Sequence, residues 1–474
     1  MNSTQRTGVD IKIGFLVTMG SQPCGAPDMD ARQQELSVPK YIRKMVDILR
    51  RHGEVVFLSG VWDDRTATRA SHIFTRERID ILIISQRTFT PDRICLKAFP
   101  LFEVPFVIWN NQELKVLPED LTFDQVMRND CVSGVPQLTN ALVKTGRKFK
   151  VITGAEDNEK IIAEIKEYMK LIKVVKVLKT ARIGVIGHVY PGMSTLTVQE
   201  TNLLERIGSS LHYIEPAEIR SFHSTISSKL VDGRVNDLKR KYHISDLSDS
   251  ELKASARLYF LLRKVSEVHQ VDALAILCTT LIDEESIGIA PCYATSLLTG
   301  EGIMCTCECD IPTALAMLIL RELCGRAWFL EFYTMDMEKE ILMLSHCGQG
   351  DPYFANPKYS IVLKPNPCFS GPKGRGISFQ FSGIPGDVTL LSLSSTTGGG
   401  WKMIATLAYA LDHPPYQIST PQMFIRFKDK KMAQGIEEFC QAGAMHHFAV
   451  GYANLLNELG LLAQIIGIDY ETVK

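Results

Sequence analysis

The spacing of apolar and polar positions changes along the chain, and each change predicts a different kind of architecture. In the first part, short runs rich in β-branched and aromatic residues fall at 11–17, 55–58, 81–84, 106–109 and 148–153. The segments between them, such as 41–51, carry apolar residues at helical spacing, so strands and helices alternate. A long charged helix is expected at 158–177. The pattern restarts with strand runs at 182–187, 272–278 and 303–307 and a helix at 251–268. Between them, 221–250 is polar and poor in apolar periodicity, and reads as an insertion or long loop. From about residue 327 the runs at 359–363, 377–381, 388–392, 403–407 and 424–427 are separated by Gly and Pro turns, the pattern of an antiparallel sheet or barrel. Helices are expected at 432–442 and 447–465.

Alternating strands and helices imply parallel sheets with crossover helices. The expected fold is therefore α/β: two doubly wound, flavodoxin- or Rossmann-like domains at 1–179 and 180–326. A mainly antiparallel β domain with terminal helices follows at 327–474. A chain of 474 residues has ample length for such a core.

Charge changes the picture mainly by exclusion. The 52 Lys and Arg nearly cancel the 53 Asp and Glu, so no global field draws the protein to nucleic acid or an anionic membrane. No run approaches the ~20 apolar residues of a membrane span, and the polar first ten residues do not read as a secretory signal. A cytoplasmic protein is expected, and its 12 cysteines are then free thiols. Cys305, Cys307 and Cys309 alternate along one strand face without a chelating CxxC spacing, so they read as buried thiols. Gly184 and Gly187 follow a strand, but the GxGxxG register of a dinucleotide site is missing, and no GxxxxGK[ST] exists.

Acidic and histidine residues carry more information. Glu308 closes a strand two residues before Asp310, a candidate N-cap for a helix with Pro312 in its first turn. That is the end of an α/β strand at which ligands are met. Glu331 interrupts the apolar run 327–333 and shares a strand face with Phe329 and Tyr333, where an unpaired carboxylate is costly. His346 follows the strand 341–344 at a turn, and His446 and His447 open the expected last helix. Two carboxylates and two imidazoles suit a divalent ion such as Mn²⁺ with positions left open for substrate hydroxyls.

At these residues the sequence resembles the L-arabinose isomerase and L-fucose isomerase superfamily. Gly20-Ser21-Gln22 is similar to its GSQ loop. Cys307-Glu308-Cys309-Asp310 with Ala314-Leu315-Ala316-Met317 is similar to its CE-x-D…ALTM segment. Phe329-Leu330-Glu331 resembles the second acidic motif, and Ser345-His346-Cys347-Gly348 the H-x-G turn. Pro385-Gly386-Asp387-Val388-Thr389 and Ala444-Met445-His446-His447 resemble the PG-x-VT strand entry and the G-A-H-H turn.

The resemblance implies a metal-dependent aldose–ketose isomerase, usually with Mn²⁺ and with Co²⁺ or Mg²⁺ able to take its place. It implies a homo-oligomer, trimer or hexamer, with active sites between subunits. Glu308, Glu331, His346 and His447 would bind the metal, the two glutamates would also move protons, and Gln22 and His446 would meet the sugar. The open-chain substrate would pass through a cis-enediol. Asp336 competes with Glu331 as second acidic ligand. Cys347 stands where some relatives carry an acid, which leaves the substrate open among pentoses, hexoses and substituted hexoses such as the sulfonated sulfoquinovose. The alternative is a non-catalytic sugar-binding or regulatory protein on the same fold.

Overall fold

The computed structural model describes residues 10–20, 38–367 and 374–473. The chain divides into two compact units, Gly8–Lys176 and one containing Val177–Lys474. The boundary falls within the helix Glu159–Thr180.

The first unit is built on β1 (Ile11–Thr18), β2 (Gly53–Val61), β3 (Ile81–Gln86), β4 (Phe106–Asn110) and β5 (Lys150–Thr153). They form one parallel sheet in the order β2-β1-β3-β4-β5, the doubly wound order with its switch point between β1 and β3. β3 is buried at every position, as expected of a strand covered on both faces. The helix Lys40–Arg50 buries Tyr41, Ile42, Met45, Val46 and Leu49 as a stripe at helical spacing. The helix Asp64–Glu77 opens on a capping box in which Asp63 Oδ1 accepts from the Thr66 N–H at 2.7 Å.

The second unit holds two sheets. Its parallel sheet contains β6 (Arg182–Ile186), β7 (Ser210–Tyr213), β9 (Ala273–Ile276) and β10 (Met304–Cys307) in the order β10-β9-β6-β7, and the short β8 (His243–Ile244) leaves it to join the other sheet. The segment 221–250, expected as an insertion or long loop, instead contains the helix Ser228–Lys241. Val231, Val235 and Leu238 give that helix a narrow buried stripe, while the charges on its other face mask the periodicity. Ser227 caps it by accepting from the Leu230 N–H at 3.3 Å.

The mixed sheet is ten-stranded. It comprises β8 with β11 (Trp328–Asp336), β12 (Ile341–Ser345), β13 (Val362–Pro365), β14 (Ile377–Ser382), β15 (Gly386–Ser395), β16 (Trp401–Ala410), β17 (Pro421–Phe427), β18 (His447–Gly451) and β19 (Asp469–Val473). The strands run β16-β15-β18-β11-β12-β17, every pairing antiparallel, and β16 also pairs with β17. The sheet thus closes on itself into a barrel, which removes those edges. One apolar core joins barrel residues such as Trp328, Phe379 and Phe381 to Leu281 and Tyr293 of the parallel-sheet layer.

The expected helix at 447–465 is a strand followed by a helix. His447–Gly451 is buried at every position and pairs with both β11 and β15, and the helix starts only at Leu456. Among the described residues, no helix is long and apolar enough to cross a membrane.

Candidate active site

Strand register assembles the site. Glu331, the fourth residue of β11, lies opposite His447 at the start of β18 on one side and opposite Ser345 at the end of β12 on the other. His346 follows Ser345 directly. From the parallel sheet, β10 ends at Cys307 and delivers Glu308 to the same place.

Glu308, His346 and His447 each offer a ligand atom, all within 4.8 Å of one another. Glu308 Oε2 is 3.8 Å from His447 Nε2 and 3.6 Å from His446 Nε2. Glu331 Oε1 is 3.9 Å from His346 Nε2, yet falls outside the group of three. His346 and His447 are buried; His446 is partly exposed. Phe329, two residues before Glu331 on the same strand face, packs its ring 4.7 Å from the His346 ring and 4.5 Å from the His447 ring, an apolar floor under both imidazoles.

Polar groups left without partners show what the cluster can take. Glu308 Oε2 and His346 Nδ1 are both buried and make no hydrogen bond. Such orphans are expensive unless a ligand satisfies them. A carboxylate oxygen and imidazole nitrogens are donors that bind borderline and hard divalent ions, so the residues present fit a cation.

Electrostatics point the same way. Burial pushes the Glu331 carboxyl above the usual carboxylate range. Burial, reinforced by His447 and His446, holds His346 well below its ordinary value, leaving it neutral as a metal ligand must be. His446 is raised by its contact with the Glu308 carboxylate.

Asp310 has a larger part than its sequence position alone implied. It is fully buried and caps the helix Ile311–Cys324, Oδ1 accepting from the Thr313 N–H at 2.8 Å. Its Oδ2 lies 2.7 Å from Thr313 Oγ1 and 3.0 Å from His447 Nδ1. A carboxylate only accepts, so His447 carries its proton on Nδ1 and presents Nε2 bare toward Glu308. The acid two residues after Glu308 was the available signal, but the sequence read it only as a cap.

Backbone conformation is unusual at the same place. Glu308 (φ 58°), Cys309 (φ 56°) and Cys347 (φ 30°) are non-glycine residues at positive φ. Each costs of order 1–3 kcal/mol, and such residues gather at functional sites. Contacts hold the turn: the Asp310 N–H donates to Cys307 O at 3.0 Å, and the Tyr190 N–H to Glu308 O at 3.4 Å.

The remaining candidates fall elsewhere. Gln22 lies outside the described residues. Asp336 sits at the far end of β11, five residues or roughly 16 Å along the strand from Glu331. It holds a turn by accepting from the Lys339 N–H at 2.9 Å. The cysteine alternation stops at Cys307 with the strand; the buried Cys309 thiol turns back to donate to Ile186 O at 3.4 Å.

Comparison with known proteins agrees with this arrangement. Residues 326–469 match the family described as L-arabinose isomerase C-terminal domain. The chain is 24% identical to a sulfoquinovose isomerase of Priestia aryabhattai, over 83% of this chain and 85% of that protein. It is 22% identical to an L-arabinose isomerase of Pediococcus pentosaceus, over 84% and 85%. With an L-arabinose isomerase of Leuconostoc mesenteroides it shares 20% identity over 98% and 99%. With the alternating α/β layers, the closed barrel and the motif residues in order, these matches establish that the chain belongs to the arabinose and fucose isomerase superfamily of aldose–ketose isomerases.

Proposed function

We propose that this isomerase is a divalent-metal enzyme, with Mn²⁺ as the first candidate, that interconverts an open-chain aldose and its ketose at the Glu308–His346–His447 cluster. The observation that carries the reading is the convergence of these three residues from separate strand ends around a buried carboxylate oxygen without a partner. Glu308, His346 and His447, with Glu331 beside them, would hold the cation. When bound, it supplies Lewis-acid polarisation of the sugar's carbonyl and hydroxyl oxygens.

The chain's own residues supply the proton transfers. Glu308 and Glu331 flank the imidazole pair, so one carboxylate can take the C2 proton to give a cis-enediol while the other returns a proton to C1. Burial of Glu331 favours its protonated form, the condition for a group that must both accept and donate near neutral pH. Phe329 and the buried histidines keep bulk water from one side of the site.

The substrate is proposed at the level of a pentose, a hexose or an anionic hexose, because the relatives' names span L-arabinose and sulfoquinovose. The ten described cysteines are all free thiols, in keeping with a reducing compartment such as the cytoplasm. We expect a homo-oligomer, trimer or hexamer, measurable by light scattering. The deciding experiment strips the protein of metal, reloads it with Mn²⁺, and screens pentoses, 6-deoxyhexoses and sulfonated hexoses in D₂O by NMR. Metal-dependent exchange of the C2 hydrogen together with ketose formation supports the reading. Sugar binding without exchange on every substrate would overturn it in favour of a binding protein.

A further inference from the structure

Beside the ligand cluster, the parallel sheet carries thiols that the isomerisation does not use. In the pairing of β9 with β10, Cys307 stands opposite Ile276. Cys278 comes two residues after Ile276, at the start of the helix Cys278–Asp283, and its thiol is in side-chain hydrogen-bonding contact with that of Cys307. Both cysteines are free. Cys307 is buried and Cys278 only partly so, which makes Cys278 the sulfur that a small solute meets first. Cys307 is bonded directly to Glu308, whose backbone is held at a φ of 58°.

We propose that Cys278 and Cys307 form an oxidisable dithiol, which closes to a disulfide under hydrogen peroxide and displaces Glu308 from its place in the cluster. The consequence for activity rests on the reading of Glu308 as a metal ligand; the dithiol itself does not. In the first step the Cys278 sulfur attacks the peroxide O–O bond, giving a sulfenic acid and one water. The Cys307 sulfur then displaces the sulfenic hydroxyl, which leaves with the Cys307 proton as a second water. Two thiols lose two hydrogens and two electrons, and the peroxide is reduced to two waters. Bonded sulfurs stand about 2.05 Å apart, closer than any hydrogen-bonded pair, so closure draws Cys307 toward the helix Cys278–Asp283. Glu308 follows Cys307 without an intervening residue, so the movement reaches the ligand carboxylate directly. Thiol reductants reverse the bond, as expected of a redox-sensing disulfide in a reducing compartment.

The test treats the full chain with hydrogen peroxide in the presence of a chelator, so that metal-catalysed oxidation plays no part. It maps linked peptides by mass spectrometry, then reloads Mn²⁺ and measures Mn²⁺ binding and isomerisation before and after dithiothreitol. Expected are a peptide pair joined through Cys278 and Cys307, loss of Mn²⁺ binding and activity, and recovery of both on reduction. Cys278→Ser should keep the basal activity and resist peroxide, whereas Cys440→Ser, which removes an exposed thiol, should remain as sensitive as the parent. The proposal is overturned if no Cys278–Cys307 link forms, if Cys278 links to Cys347 instead, or if the link forms with Mn²⁺ binding unchanged. A Cys278→Ser protein that loses activity as fast as the parent also overturns it. Should the reduced protein turn over no sugar at all, the isomerase reading fails, while the peptide map and Mn²⁺ binding still decide the dithiol.

Discussion

Replacing Asp310 with Asn separates the two tasks of that residue, because the structure assigns a different oxygen to each. Oδ1 accepts from the Thr313 N–H and caps the helix Ile311–Cys324; Oδ2 faces Thr313 Oγ1 and His447 Nδ1. The Thr313 N–H can only donate, so the Asn carbonyl must take the Oδ1 place and its NH₂ the Oδ2 place. That NH₂ donates to His447 Nδ1, which must then be bare. The imidazole proton moves to Nε2, the nitrogen 3.8 Å from Glu308 Oε2, and blocks the lone pair offered to a cation. Losing such an orienting partner typically costs 10–100-fold in metal affinity, about 1.4–2.7 kcal/mol. Stability should change little, since Asn caps helices as well as Asp.

Asp310→Ala supplies the contrast. It removes the cap, worth about 1 kcal/mol, and leaves the buried His447 Nδ1–H unsatisfied at about 1–3 kcal/mol more. The expected total is ~2–4 kcal/mol. Titration with Mn²⁺, following the spin-resonance signal of the free ion, gives the affinity; denaturant midpoints of the metal-free proteins give stability. Asp310→Asn should lose affinity alone, and Asp310→Ala both. An Asp310→Asn protein that binds Mn²⁺ as the parent does would reduce Asp310 to a helix cap and refute the tautomer argument.

Glu308→Gln and Glu331→Gln should each lower turnover by about 10²–10⁴-fold, the range for removing a general acid or base; loss of C2 exchange in D₂O checks it, and full activity in either would refute the assignment. Because His346 is held well below its ordinary value of 6.5, the unfolded chain binds more protons beneath that pH. The stability of the metal-free protein is therefore complete above 6.5 and falls as pH drops through the window below it, by at most ~1.4 kcal/mol per pH unit from this group. Denaturant midpoints across that window test this, and His346→Asn should flatten their dependence. Gly53→Ala would set a Cβ 2.2 Å from the Ile11 carbonyl oxygen, a backbone atom that cannot step aside. A loss of about 1–3 kcal/mol is expected, read as a lowered melting temperature.

How far the sequence revealed these features depended on whether a contact is local. β1 and β3 were legible because strands covered on both faces need continuous apolar runs, and β10 followed by the Asp310 cap was legible because strand end and cap are neighbours. The helix Ser228–Lys241 was not, since three buried positions among charges give little periodic signal. His447-Phe448-Ala449-Val450 was misread as helix because a short apolar run fits either period; pairing with β11 and β15 decides it. The ligand residue types could be named from sequence, but their convergence depends on register. Glu331 meets His447 only because β11 and β18 pair at that residue, and a slip of one position would turn it to the other face of the sheet.

Register alone also leaves the Glu308 turn unexplained. Had β10 continued as a strand, Glu308 and Asp310 would share one face about 6.6 Å apart, each beside a different part of any facing ring. The left-handed residues Glu308 and Cys309 instead fold the chain back, so that the Asp310 N–H reaches Cys307 O and the two carboxylates address the two nitrogens of a single imidazole. Glu308 approaches Nε2 and Asp310 holds Nδ1. Two strained residues are the cost of that geometry, and buried contacts offset it: the Cys309 thiol donates to Ile186 O and Ala275 O, and Asp310 caps a helix. Those anchors lie in β6, β9 and the helix Ile311–Cys324. The candidate ligand is thus positioned by the parallel sheet, although it sits on a turn, and this is why the sulfur chemistry of neighbouring Cys307 should be felt at Glu308 before any other residue of the cluster.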